Sequence, residues 1–325
     1  MKKTTFLFGI FIILILSCSR NTVPEGIDFK QEMRNFVQDI STYAKTENPN
    51  FIIIPQNGEQ LASKNGETNG NPANTYLNAI DGQGREDLYY GYDKDDVATS
   101  ADDRNYMQSF LDIEEQNGVQ VLVTDYCSTR SKTDNSYAEN SSKGYISFAA
   151  PERNLNIIPD YPPEPYNVNT NDINTLSDAK NFLYLINPEK FSSKQDFINA
   201  VSQTNYDVVL MDLFFNDTQE FTLSEISSLK TKQNGGKRLV ISYMSIGEAE
   251  NYRYYWKTEW EKNKPEWLDK ENPNWKGNYK VWYWEKEWQD IIFGNNDSYL
   301  KKIINAGFDG VYLDIIDAFE YYEEL

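Results

Sequence analysis

The sequence predicts an α/β fold, a (β/α)8 TIM barrel with an extra N-terminal helix, and three observations carry that prediction. Short apolar runs alternate with polar, helix-compatible segments from Phe51 to Leu313, which is the pattern of strands joined by crossover helices. The runs are almost continuously apolar, as parallel strands covered on both faces must be. Acidic residues stand at the ends of several runs, and in such barrels function sits at the strand ends while the interior only packs.

The elements follow in order. From Ile27 to Tyr43, the residues Phe29, Met33, Phe36, Val37, Ile40 and Tyr43 recur at helical spacing, so a helix precedes the first strand. Nine runs then compete for eight strand positions: FIIIP (51–55), DLYYGY (87–92), VQVLVT (119–124), YISFAA (145–150), FLYLI (182–186), DVVLM (207–211), RLVISYM (238–244), KVWYW (280–284) and FDGVYL (308–313). Either KVWYW or YISFAA is expected to ride on a loop, because both adjoin long irregular stretches such as DYPPEPYNVNTND (160–172). Ser100 ahead of Asp102 and Asp103, Ser193 three residues before Asp196 and Thr222 three before Glu225 mark helix starts. Gly118, Gly235-Gly236 and Gly307 mark helix ends. After Asp314 the chain leaves room for little more than two helical turns. The competing arrangement is an open doubly wound sheet, disfavoured because no Gly-rich phosphate turn follows an early strand.

The chain begins MKK, continues through an apolar run from Phe6 to Leu16, and reaches Ser17-Cys18. A basic start and an apolar run of about 11 residues are the marks of a secretory signal, too short to span a bilayer as a helix. The Ile-Leu-Ser-Cys ending resembles a bacterial lipobox, which makes Cys18 the lipidated first residue of the mature protein. The expected organisation is a signal peptide over 1–17, a tether over 18–26 and one domain over 27–325. The expected location is the bacterial cell envelope, at the outer membrane or cell surface, with the membrane held through Cys18. If Cys18 is acylated, Cys127 is left alone and no intrachain disulfide is expected.

Composition excludes several function classes. The formal charge is −19, and removal of residues 1–17 takes away Lys2 and Lys3 and lowers it to −21. Such acidity argues against nucleic acid, which is bound through clustered Lys and Arg, and is compatible with a cationic ligand drawn into an acidic cleft. There is no histidine in the 325 residues. Catalytic triads, His-ligated zinc and imidazole bases are therefore unavailable. Carboxylate chemistry remains, supported by Tyr, Lys or Arg, and no cofactor is expected.

Several strands deliver a polar group at the carboxyl end: Gln56 and Asn57 after FIIIP, Asp125 and Tyr126 after VLVT, Asp212 after VVLM, Glu248 and Glu250 after SYMSIG, and Asp314 after VYL. Ionised carboxylates are costly to bury unless paired or solvated, so this placement points to one shared mouth. Asp212, Glu250, Glu248 and Asp314 are the catalytic candidates. Each has a duller role open to it, since Asp212 or Asp314 could cap a helix and Asp125 could bind amides of its own loop. Asp317 is expected at a helix N-terminus. Gln56, Asp125, Tyr126, Tyr252, Arg253 and Trp284 are the candidates for binding substrate. Tyr252, Tyr254, Tyr255, Trp256, Trp260, Trp267, Trp275, Trp282, Trp284 and Trp288 crowd the same region. Their flat faces suit stacking on a sugar ring, and a cationic sugar gains cation–π attraction as well.

FIIIPQNG, YDVVLMDLFF, ISYMSIGEAENYR and FDGVYLDIIDAFEYY resemble glycoside hydrolase family 114 and its bacterial branch, whose characterised fungal members are endo-α-1,4-polygalactosaminidases. The resemblance runs from about Phe51 to Tyr322. It implies a (β/α)8 barrel, hydrolysis of α-1,4-linked galactosamine polymers, an Asp at the end of a central strand and a Glu in a Gly-containing loop. These fall on Asp212 and Glu250. This chain departs from the family in carrying an acid at Glu248. On this reading Asp212 and Glu250 form a carboxylate pair, with Glu250 as the acid because surrounding Tyr and Trp raise its pKa. Two alternatives stand beside it. One is a non-catalytic glycan-binding lipoprotein on the same fold. The other is a Mg²⁺ or Ca²⁺ enzyme with a shell from Asp125, Asp212, Glu248 and Asp314.

Overall fold

A computed structural model describes residues 23–325. The signal segment and Cys18 lie outside the described residues. The architecture is mixed α/β, and eight parallel strands organise it. They are β1 (Ile52–Pro55), β2 (Gly82–Glu86), β3 (Gln120–Tyr126), β4 (Ile146–Ala150), β5 (Phe182–Tyr184), β6 (Val208–Asp212), β7 (Leu239–Ser245) and β8 (Gly310–Asp314). Five form one parallel sheet in the order β1-β8-β7-β6-β5, and three form a second in the order β2-β3-β4. The sheets meet where Gln56, just past β1, bridges to Gly84 of β2 in parallel sense. Along the same seam the Asp81 N–H donates to the Ile53 carbonyl at 2.9 Å. At the other seam the Phe148 and Phe182 rings, from β4 and β5, lie 5.7 Å apart.

The strand interiors hold one large apolar cluster that runs from Met33 to Tyr322. Side chains from distant strands meet inside it. The Tyr184 hydroxyl (β5) donates to Gln56 Oε1 at 2.8 Å, and the Tyr184 and Tyr312 rings (β5 and β8) lie 5.3 Å apart. Gly84 in β2 is required by this packing, because a Cβ there would stand 2.0 Å from the Tyr312 hydroxyl oxygen.

The expected N-terminal helix forms as α1 (Phe29–Glu47), started by the Asp28 side chain accepting from the Gln31 N–H. Its apolar stripe packs on the core, and Arg34 ties it to the chain after β1 by donating to the Leu61 and Ser63 carbonyls at 2.9 and 2.5 Å. The expected caps also form. Ser100, Ser193 and Thr222 accept from the backbone three residues on, and Gly307 ends the helix Tyr299–Ala306 at φ +87°.

Two strand expectations are corrected. The run DLYYGY (87–92) is not a strand of the sheets; the strand is the preceding GQGRE, which lacks an apolar run because glycines take the positions where Leu176 and Tyr312 press in. Of the two runs set aside for a loop, YISFAA forms β4, while KVWYW contributes to the antiparallel ribbon of Glu248–Glu250, Asn278–Val281 and Leu268–Glu271, inserted between β7 and β8. That ribbon stands over the carboxyl ends of the large sheet.

Candidate active site

The carboxyl ends of the strands surround a cleft of about 350 Å³. Its wall includes Gln56, Glu86, Tyr126, Asp212, Glu248, Glu250, Tyr252, Arg253, Asp314 and Asp317, drawn from residues far apart in sequence. Six carboxylates, counting Glu86 and Asp317, face three cations, Arg153, Arg253 and Lys276. The excess is acidic.

Asp212 is the last residue of β6, and Glu250 closes the ribbon strand that begins at Glu248. One guanidinium joins them. Arg253 donates from Nη1 to Asp212 Oδ1 at 2.9 Å, from Nη2 to Asp212 Oδ2 at 2.6 Å, and from Nε to Glu250 Oε2 at 2.6 Å. Nη2 also lies 3.4 Å from Glu250 Oε1, so the two carboxylates face each other across a single guanidinium. Tyr252 donates its hydroxyl to Glu250 Oε1 at 2.6 Å, and the Phe214 N–H donates to Asp212 Oδ1 at 2.8 Å. Burial pushes the Asp212 carboxyl up, while the charge and hydrogen bonds of Arg253 oppose it. Burial works against the Arg253 charge, but Asp212 and Glu250 more than offset it and hold the guanidinium above its ordinary value. Tyrosines do surround Glu250, with the Tyr252 hydroxyl on its carboxylate and the Tyr255 hydroxyl accepting from its N–H at 3.0 Å, and Arg253 joins them as a charged donor.

Asp314, at the end of β8, accepts from the Tyr243 hydroxyl at 2.7 Å. Burial, helped by the nearby Glu86 charge, pushes its carboxyl up to about 7, with the Tyr243 bond pulling the other way. Asp317 also lines the cleft and is pushed to about 7 by burial and Glu320. It stands at the N-terminus of the helix Ala318–Glu323 without capping it through its side chain. Between the two acids Ile315 adopts φ +58°, a left-handed conformation that is a true outlier for a β-branched residue. Gly247 makes room for it, because a Cβ there would stand 2.1 Å from the Ile315 carbonyl oxygen. Backbone strain of this kind costs on the order of 1–3 kcal/mol and gathers at functional sites.

Glu248 and Glu250 are two apart on a strand and share a face, as the two-residue period requires. Both line the cleft, and each is only 1% exposed. Gln56, Tyr126 and Tyr252 line it too, and Trp275 stands at the rim, 59% exposed.

Two expected substrate-binding residues lie elsewhere. Asp125 is fully buried and accepts from the Tyr89 and Tyr90 N–H groups at 2.8 and 3.2 Å, from Ser136 Oγ at 2.6 Å and from Asn140 Nδ2 at 3.0 Å. It ties the loop after β2 to the helix Arg130–Lys143, the loop-binding role open to it. Trp284 packs 5.1 Å from Phe29 and 4.9 Å from Tyr322, sealing α1 against the C-terminal helix. Most of the other tryptophans also pack on one another, as in Trp260, Trp267 and Trp288. With Asp125 outside the cleft the four-carboxylate cation shell is not assembled, and among the described residues no group of three or more Asp, Glu or Cys side chains is placed to hold a metal ion.

Sequence reasoning missed Glu86, Arg153, Tyr184 and Tyr243. Glu86 accepts from the Tyr126 hydroxyl and from Asn57 Nδ2, the latter at 3.1 Å, and the Arg153 guanidinium lies 3.8 Å over the Tyr126 ring. Glu86 was hidden because its strand was not recognised. Tyr243 and Tyr184 sit inside apolar runs, where nothing marks a ring whose hydroxyl reaches a site residue.

Residues 168–324 match the profile of glycoside-hydrolase family GH114. The chain is 47% identical over 127 residues to an uncharacterized protein of Methanocaldococcus jannaschii, covering 39% of this chain and 35% of that one. It is 40% identical over 124 residues to an uncharacterized protein of Thermotoga maritima, covering 38% and 36%, and 37% identical over 129 residues to one of Deinococcus radiodurans, covering 40% and 39%. The matches thus span little more than a third of each relative's length. Asp212, Glu250, Arg253 and Asp314 all fall inside the GH114 match, whereas Gln56, Glu86 and Tyr126 on the facing wall precede it. Through residues 168–324 the chain belongs to glycoside-hydrolase family GH114.

Proposed function

We propose that the protein is a glycosidase that cuts an α-linked amino-sugar polysaccharide, polygalactosamine-like in linkage, with Asp212 and Glu250 as the reacting carboxylates. The observation that carries this reading is the convergence of the two acids on one guanidinium in an acidic, sugar-sized cleft. One carboxylate attacks or stabilises the anomeric carbon, and the other protonates the leaving oxygen. Arg253 holds both carboxylates in register, and a guanidinium that reaches both with Nη2 favours the short separation typical of retaining enzymes, about 5–5.5 Å. Asp314 lines the same cleft with a carboxyl raised to about 7, so it holds a proton well above the ordinary carboxylate range. The acidic excess of the wall favours a cationic polymer over a neutral or anionic one.

The scaffold in this proposal is a closed (β/α)8 barrel. The β1–β2 bridge, the Tyr184–Gln56 bond across the interior and the Phe148–Phe182 contact between β4 and β5 support closure. Anchoring in the cell envelope through lipidated Cys18 belongs to the same proposal, and loss of fatty-acid labelling in Cys18→Ser tests it.

Incubation with α-linked galactosamine oligomers, followed by mass spectrometry and anomeric NMR, tests the activity. Shortened products with retained α-configuration are expected. One observation favours the non-catalytic alternative: Arg253 occupies oxygens of both carboxylates. Oligomer binding without any shortened product would establish a glycan-binding protein instead.

A further inference from the structure

Glu248 stands one strand period from Glu250, about 6.6 Å along the cleft wall. Its Oε1 accepts from Asn272 Nδ2 at 2.8 Å and lies 3.7 Å from Lys280 Nζ, beyond a good hydrogen bond. Lys280 is engaged with the Tyr321 ring, 4.4 Å from its centroid. The other oxygen, Oε2, is buried and makes no hydrogen bond within 3.5 Å, although the Asn278 side chain stands close enough to help hold the carboxyl charged. A carboxylate oxygen left unpaired at 1% exposure is destabilising, and such a group in a cleft wall calls for a donor from outside the chain.

We propose that Glu248 is a specificity-determining residue of this cleft: Oε2 accepts from the protonated primary amine of a sugar beside the bond being cut, selecting free amino sugars over N-acetylated and neutral ones. The inference rests on the hydrolase reading above and adds the group that reads the substrate's charge. An ammonium donor forms a charge-assisted bond about twice as strong as one from a neutral hydroxyl. An acetamide carries no charge and would set its carbonyl among the carboxylates that line the cleft. A buried acceptor that the ligand fails to satisfy penalises that ligand strongly, which is how such a site discriminates. Selectivity then resides on the ribbon strand that also carries Glu250, while Arg253 joins Glu250 to Asp212 at the end of β6.

The test compares wild type with Glu248→Gln on two oligomers of equal length, one with free amines and one fully N-acetylated. Both kcat/KM and calorimetric affinity are measured. Wild type should prefer the free amine, and Glu248→Gln should reduce that preference by about 10–100-fold, mainly through KM. A preference unchanged in the variant, or wild-type preference for the acetylated oligomer, would overturn the proposal. If wild type cleaves neither oligomer but binds the amine selectively, and the variant loses that selectivity, Glu248 keeps its role and the hydrolase reading falls. Should Glu248→Gln fail to fold, Glu248→Asp decides: it keeps the charge but withdraws the oxygen by one methylene, so the preference should drop, and an undiminished preference would count against the proposal.

Discussion

Asp212 and Glu250 make different demands on the protein, although one guanidinium holds both. Asp212→Asn keeps the shape but removes the charge and sets an amide NH2 where one carboxylate oxygen accepted, so kcat should fall by about 10²–10⁴-fold and the melting temperature should fall too, because the buried Arg253 guanidinium loses an acceptor. Turnover within twofold of wild type would remove Asp212 from the reaction. Asp314 gives a prediction in pH. Its carboxyl is raised from 3.8 to about 7. Between those values the unfolded chain has released a proton that the folded protein still holds, so its contribution is lost as pH rises through this window and stays lost above it. Asp314→Asn cannot ionise, so its melting temperature should gain on wild type as pH rises from about 4 to about 7. Parallel curves would contradict the environment described for Asp314. At this scale the sequence was informative at Asp212 and Asp314, acids directly after apolar strands that both line the cleft. It misled at Asp125, which occupies the same kind of position but faces four donors, because strand position alone does not say what a side chain meets.

The β2 strand and the turn after β7 show why elements are harder to read than acids. GQGRE carries no apolar run, since its glycines leave space that Leu176 and Tyr312 fill from other elements. That complementarity is visible only when the chain is folded, so the strand and its terminal Glu86 were missed together. The helical spacing along α1 and the capping signals at Ser100, Ser193, Thr222 and Gly307 are local, and the structure carries each of them, whereas the helix expected to end at Gly235-Gly236 already ends at Leu229. Gly247 is the sharpest element-level test. A Cβ there meets the Ile315 carbonyl at 2.1 Å, backbone that cannot swing aside. Gly247→Ala should destabilise the protein by about 1–3 kcal/mol in denaturant unfolding and lower kcat by moving Asp314. Full stability and full activity together would mean that the ends of β7 and β8 are less tightly coupled than the packing requires.

Across the whole molecule, two parallel sheets with strands in sequence order gather the acids at one end, and a ribbon between β7 and β8 completes the cleft wall. This general arrangement was legible from the alternation of runs, because parallel strands must all point their carboxyl ends the same way. The ribbon was foreseen only as a loop-borne run, since its three short strands pair through Trp-rich sequence that reads equally well as core. Its contribution to the site is electrostatic as well as steric. Six carboxylates against three cations line the cleft of a chain with formal charge −19, so kcat/KM for a cationic oligomer should fall steadily as ionic strength rises from about 0.01 to 1 M, where screening shortens from about 30 to 3 Å. Salt-independent turnover would point to recognition through neutral contacts.

Reducing-end release from a defined α-linked galactosamine oligomer, followed side by side for wild type, Asp212→Asn and Glu250→Gln, tests the central claim most directly. Steady release by wild type, with both folded variants slower by orders of magnitude, is the predicted result. No release by wild type between about pH 4 and 8, or equal release by all three proteins, would contradict the claim that these carboxylates cut a glycosidic bond.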